Sequence, residues 1–245
     1  MGLLGQVHRG KRQAPRRVLL YGVQGIGKST WGASTPDPIF LSTEDGLDDI
    51  DCAKFPAITS YDAAIAALSE LYSEPHDYRT LVVDSLDWFE SLVWAHVCVK
   101  KHVRNIEDIG YGKGYILTLD YWREFLAGLS ALRNDRGMMI VLVAHSKIET
   151  FKNPEGDDFD RYMPRMHKAA ASVVMEWCDE VLFASYQTYT KGAASPGIGR
   201  GVAKAIGSGE RVLRTTERPS HMAKNRLGLP DELPFSWDSY AQFLK

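Results

Sequence analysis

Gly22-Val23-Gln24-Gly25-Ile26-Gly27-Lys28-Ser29 fills every fixed position of the pattern G-x-x-x-x-G-K-[ST], and Val18-Leu19-Leu20-Tyr21 just before it reads as a buried strand. Glycines let such a backbone curl so that its N–H groups face inward, and a helix beginning near Lys28 adds the positive end of its dipole. The product is a cradle for phosphate. On this pattern the stretch Gly22, Gln24, Gly25, Ile26, Gly27, Lys28, Ser29 and Thr30 surrounds a nucleotide's phosphates, so ATP and Mg²⁺ are the expected ligands. Lys28 reaches the β- and γ-phosphates as a point charge, and the Ser29 hydroxyl ligates the Mg²⁺ that bridges them.

The rest of the composition bounds the fold around that loop. A chain of 245 residues, 44% hydrophobic and 24% charged, suits one sizeable α/β domain. With 29 basic residues against 31 acidic ones, the net charge of −2 gives no global pull toward nucleic acid, so such contact has to come from a local patch. Cys52, Cys98 and Cys178 are far apart and form no C-x-x-C, which reads as reduced thiols rather than a disulfide framework or zinc site. No apolar run approaches the ~18 residues of a membrane span and the N-terminus lacks a signal-peptide segment. A cytoplasmic protein without a membrane partner is expected.

Residues 1–16 carry Arg9, Lys11, Arg12 and Arg16 without an acidic residue and read as a flexible basic arm before a single domain over 17–245. Pro36 and Pro38 end the first helix, and Ile39 to Thr43 forms a second strand with Glu44 at its carboxyl end. In an open parallel sheet the loops at the carboxyl ends surround the ligand, which puts Glu44 on the rim of the phosphate loop. Ser60 to Tyr72 reads as a helix. Thr80-Leu81-Val82-Val83-Asp84 is an apolar strand ending in a carboxylate, suited to hold a magnesium-bound water opposite the loop. Asp87 and Glu90 have capping-box spacing.

Gly110-Tyr111-Gly112-Lys113-Gly114-Tyr115 mixes glycines, a lysine and two tyrosines. It reads either as a plain loop or as a contact for single-stranded nucleic acid through Tyr111, Lys113 and Tyr115. A long amphipathic helix through Leu119 and Leu129 follows, then a strand from Met139 to Ala144 with His145 at its carboxyl end, again on the rim. Lys147 to His167 reads as an irregular loop with five acidic residues, the helix through Val173 and the strand Glu180 to Tyr186 as core, and 191–209 as a Gly, Ala and Ser-rich segment. A last strand, Arg211 to Thr216, leads to Lys224 and Arg226, and Trp237 is expected to pack the C-terminal segment down.

In this order the parts resemble the RecA-like ATPase core, a three-layer α/β P-loop fold with a mainly parallel central sheet. More narrowly, they resemble the small phage-encoded RecA-like ATPases associated with single-strand annealing and recombination. The resemblance covers residues 17 to about 235. It implies that Glu44, within Thr43-Glu44-Asp45-Gly46-Leu47-Asp48, polarises the attacking water, that Asp84 is the Walker B aspartate, and that His145 is the polar sensor. It also implies that 103–115 and 149–167 stand where the two DNA-binding loops stand. Lys224 and Arg226 would reach the neighbouring subunit's ATP in a homo-oligomer, with single-stranded DNA and a single-strand-binding protein as partners. The acidic second loop departs from that family pattern, so filament formation and strand exchange are not implied. A P-loop nucleoside or nucleotide kinase and a non-hydrolysing nucleotide-dependent adaptor are the competing readings.

Overall fold

The structure, a computed structural model, describes residues 13–190 and 205–244 together with residues 2, 4, 7, 9 and 10. Lys11, Arg12 and most of the Gly, Ala and Ser-rich segment therefore lie outside the described residues. Strand β1 (Arg17–Gly22) occupies the middle of the sheet, between β5 (Met139–Phe151) and β7 (Glu180–Thr190), and is parallel to both. Beyond β5 come β4 (Thr80–Asp84), β2 (Pro38–Ser42) and the two-residue β3 (Ala53–Lys54), all parallel. On the other side β8 (Ala205–Arg214) and β10 (Glu232–Pro234) complete the sheet as antiparallel strands, and β9 (Lys224–Asn225) pairs antiparallel with the start of β7. The mainly parallel α/β sheet read from the sequence is what the chain forms.

The central strands β1, β2, β4 and the first half of β5 are apolar because both faces are covered, and their side chains alternate between two cores. Leu19, Tyr21, Leu41, Leu81, Val83, Ile140 and Leu142 face the first core. It is covered by α2 (Tyr61–Ser73), α3 (Leu86–Lys101), α4 (Lys113–Asp135) and α5 (Lys168–Trp177). Val18, Leu20, Phe40, Val82, Val141 and Val143 face the second, smaller core. There α1 (Lys28–Ala33) and the C-terminal α6 (Trp237–Ala241) pack through Trp31 against Trp237 and Tyr240, at ring-centroid distances of 5.2 and 5.6 Å. Trp237 does hold the C-terminal segment down.

Several local expectations change. The stretch expected as an irregular loop after His145 is a β-hairpin: β5 runs on to Phe151 and β6 (Phe159–Pro164) pairs back against it from Ser146↔Pro164 to Phe151↔Phe159. β5 thus begins inside the sheet and ends outside it, a change that its apolar first half, Met139–Ala144, did not disclose. The capping box assigned to Asp87 and Glu90 does not form, because Ser85 is the N-cap of α3 and both carboxylates turn inward. Arg16, counted with the flexible arm, is fastened to the sheet: its guanidinium pairs with the buried Glu180. Cys98 and Cys178 are buried, Cys52 is partly so, and all three are free thiols. Among the described residues no helix is long and apolar enough to cross a membrane.

Candidate functional site

The strand register brings the predicted residues together. Gly22 lies beside His145 on one neighbour and Ala184 on the other, while Ser42 lies beside Asp84, so the ends of β1, β2 and β4 and the middle of β5 meet on one rim. β5 stands between β1 and β4 and sets His145 between the loop and Asp84. The loop is shaped by two kinds of glycine. Gly22 is demanded by crowding, since a Cβ there would meet the Ala184 carbonyl oxygen at 2.3 Å, whereas Gly27 has φ 100°, a left-handed conformation that side chains resist. Ile26 is fully buried in the second core and pins the loop, leaving Gln24, Gly25 and Thr30 exposed on its outer side.

Lys28 is 6% exposed, and its ammonium bends back onto its own loop, donating to the Val23 carbonyl at 3.1 Å and the Gly22 carbonyl at 3.4 Å. Burial pushes its pKa down, opposed by Asp84, Asp87 and Glu44. A buried cation held only by neutral carbonyls and these carboxylates is favourably placed to take an anion. The Ser29 hydroxyl donates to Asp84 Oδ2 at 2.5 Å. Burial pushes the Asp84 carboxyl up, the Ser29 hydrogen bond pulls it back, and Glu44 raises it further. A carboxylate hydrogen-bonded to a hydroxyl is a pair of oxygen donors suited to a hard divalent cation that keeps most of its waters. No cluster of three or more His, Cys, Asp or Glu occurs among the described residues, so phosphate oxygens would have to complete such an ion's shell.

Glu44 is positioned by its neighbours. The Thr43 N–H donates to the Asp84 carbonyl at 2.9 Å and the Thr43 hydroxyl to the Ser85 carbonyl at 2.8 Å, tying the end of β2 to the end of β4. The Ser42 hydroxyl donates to the Glu44 carbonyl at 2.7 Å. The half-buried Glu44 carboxylate has no hydrogen-bond partner among the described residues. It is thus held at the rim with its oxygens available.

His145 belongs to a cluster. Its N–H donates to Asp87 Oδ1 at 3.0 Å, and its ring Nδ1 lies 3.1 Å from Asp87 Oδ2. Arg165 Nη2 donates to Asp87 Oδ2 at 2.5 Å, and the Arg165 N–H donates to the His145 carbonyl at 2.8 Å. Burial pushes the Asp87 carboxyl up, but the His145 and Arg165 hydrogen bonds outweigh it and hold the group well below the usual carboxylate range. The sequence reading missed Asp87 and Arg165. An aspartate in the first turn of a helix looks like a cap, and an arginine 20 residues past His145 shows no link to it until the hairpin between them closes.

Other predicted residues fall elsewhere. Tyr111 is fully exposed at φ 50°, between Gly110 and Gly112, which also have positive φ, and Lys113 beside it opens α4 in solvent. Tyr115 is engaged within the protein: its ring stacks on His167 at 4.2 Å, meets Trp94 edge-on at 5.4 Å, and its hydroxyl bonds Glu107. That geometry does not support its expected place as a base-stacking ring. Lys224 is likewise redirected. Its ammonium donates to the carbonyls of Met175, Glu176 and Cys178, which occupies all three of its donors at the C-terminus of α5. Arg226 keeps a 55% exposed side chain, with Asp179 3.5 Å away. Both lie near the start of β7, where Glu180 pairs with Asn225, four residues of strand (roughly 13 Å) from the rim.

Residues 14–227 match the family model described as an AAA domain. The chain is also 24% identical over 176 residues to the SPbeta prophage-derived uncharacterized protein YorG of Bacillus subtilis (strain 168), an alignment covering 69% of this chain and 50% of that protein. The chain spans about half the length of this curated relative.

Proposed function

From the premise that this chain belongs to the AAA-domain family of P-loop proteins, we propose that it binds ATP with Mg²⁺ at Gly22–Thr30 and hydrolyses it while acting on single-stranded DNA in recombination, annealing or replication. The observation that carries the proposal is the convergence of Lys28, Ser29, Asp84, Glu44 and His145 on one rim, with the Glu44 carboxylate unengaged. Lys28 exchanges its loop carbonyls for the β- and γ-phosphates. Ser29 and Asp84 are the residues that would hold Mg²⁺, which would supply positive charge against the negative charge of the phosphates. Glu44 accepts the proton of the attacking water, and His145, braced by Asp87 and Arg165, is the polar side chain set toward the γ-phosphate. The DNA part of the proposal rests on Tyr111 and Lys113, an exposed ring and cation beside each other. The prophage origin named for the B. subtilis relative is consistent with a phage setting.

The test is phosphate release from ATP with and without single-stranded DNA, with Lys28→Ala as control. Turnover that rises with DNA and vanishes in Lys28→Ala supports the proposal. Transfer to a nucleoside would favour a kinase, and tight ATP binding without turnover an adaptor.

A further inference from the structure

Beside the phosphate loop lies a cleft that no step above uses. Its volume is about 190 Å³, below the ~300–1,000 Å³ of a site for a whole drug-sized ligand and on the scale of one heterocycle. Gly27 and Thr30 belong to both the loop and the cleft; the far wall is Arg211, Phe235 and Asp238. Arg211 Nη1 donates to the Ile26 carbonyl at 3.1 Å, and its guanidinium carbon lies 5.5 Å from the Phe235 ring centroid. This stacked pair comes so close to the loop that a Cβ on Gly27 would lie 2.9 Å from Arg211 Nη1. A planar cation on an aromatic ring is a platform for another planar π-system. The exposed Asp238 carboxylate accepts no hydrogen bond from a described residue, and a carboxylate offers acceptors only.

We propose that this cleft is the nucleobase subsite of the nucleotide: the base stacks on the Arg211–Phe235 pair, and Asp238 accepts from an exocyclic amino group, selecting bases that carry one. The inference rests on the phosphate-loop reading, and goes beyond it by assigning the recognition of the base to residues more than 180 positions along the chain from the loop.

The experiment is calorimetric titration of wild type, Phe235→Ala and Asp238→Ala with three Mg²⁺ complexes: ATP, purine riboside triphosphate, which lacks the 6-amino group, and tripolyphosphate, which lacks base and sugar. Wild type binds ATP more tightly than purine riboside triphosphate by about tenfold, the scale of a hydrogen bond to a charged group. Phe235→Ala weakens both nucleotides by about tenfold through lost stacking and leaves tripolyphosphate unchanged. Asp238→Ala, at an exposed position, removes the acceptor and with it the preference for ATP, and leaves tripolyphosphate binding unchanged. Wild-type ATP affinity and preference in both variants would overturn the assignment. Failure of wild type to bind either tripolyphosphate or ATP would instead remove the phosphate-loop reading and this proposal with it.

Discussion

The buried carboxyl of Glu90 shows how a single residue records its surroundings in a pH dependence. It is 3% exposed on α3, and both its oxygens face the N–H of His167, at 2.9 and 3.1 Å. Burial pushes its pKa from 4.5 up to about 7, and the His167 N–H offsets only part of that. Because the folded value lies above the unfolded one, the folded chain holds the extra proton between these limits, and this group's contribution to stability falls as pH rises through 4.5–7. Glu90→Gln should therefore gain stability over wild type as pH rises from 5.5 to 8.5, by up to about 2 kcal/mol, read by urea unfolding. A difference independent of pH would show that Glu90 is ionised throughout. The site residues divide at this same scale. Lys28, Ser29 and Asp84 were legible because a local pattern of a few residues fixes their positions. Asp87 and Arg165 were not, since their pairing depends on a contact across 78 residues of chain.

At the scale of elements, the stretch read as an irregular acidic loop is the hairpin of β5 and β6. Glu149 pairs with Lys147 at 2.8 Å, Asp158 with Lys152, and Asp160 accepts from Thr150 at 2.7 Å, so three of the five acidic residues are partnered within the hairpin itself. A run of charges in sequence is not a patch of free charge in space. The two tyrosines flanking Lys113 separate for a similar reason, Tyr111 sitting on a glycine-flanked turn and Tyr115 on the first turn of α4 facing His167. Tyr111→Ala should weaken single-stranded DNA binding about tenfold at low salt and leave the melting temperature unchanged. Tyr115→Ala should lower stability by about 1–3 kcal/mol through the loss of its packing. Fluorescence anisotropy with thermal unfolding on both variants checks the pair; equal loss of DNA binding with unchanged melting in each would return Tyr115 to the DNA surface. The central strands β1, β2 and β4 needed no such correction, because runs such as Leu81-Val82-Val83 bury both faces and read as strands from the sequence alone.

For the whole molecule, the sheet puts the phosphate loop at one end and the cluster of Arg16, Arg17, Asp179, Glu180, Lys224 and Arg226 at the other. Arg226 is therefore proposed to serve a neighbouring copy's site, and Lys224 to cap α5. Mixing Arg226→Ala with Lys28→Ala subunits should restore turnover that neither has alone, while Lys224→Met should cost about 1 kcal/mol of stability. Full activity of Arg226→Ala by itself would remove the argument for a shared site. Narrower than the oligomer is the proposal that the rim built from four parallel strands hydrolyses ATP, with Glu44 as the group that activates water. Glu44→Gln keeps the shape of the side chain and removes its basicity. The deciding measurement is phosphate release at saturating Mg·ATP by wild type and Glu44→Gln, with ATP affinity measured alongside. The account predicts unchanged affinity and turnover reduced about 100-fold or more, and turnover at the wild-type rate in Glu44→Gln would contradict it.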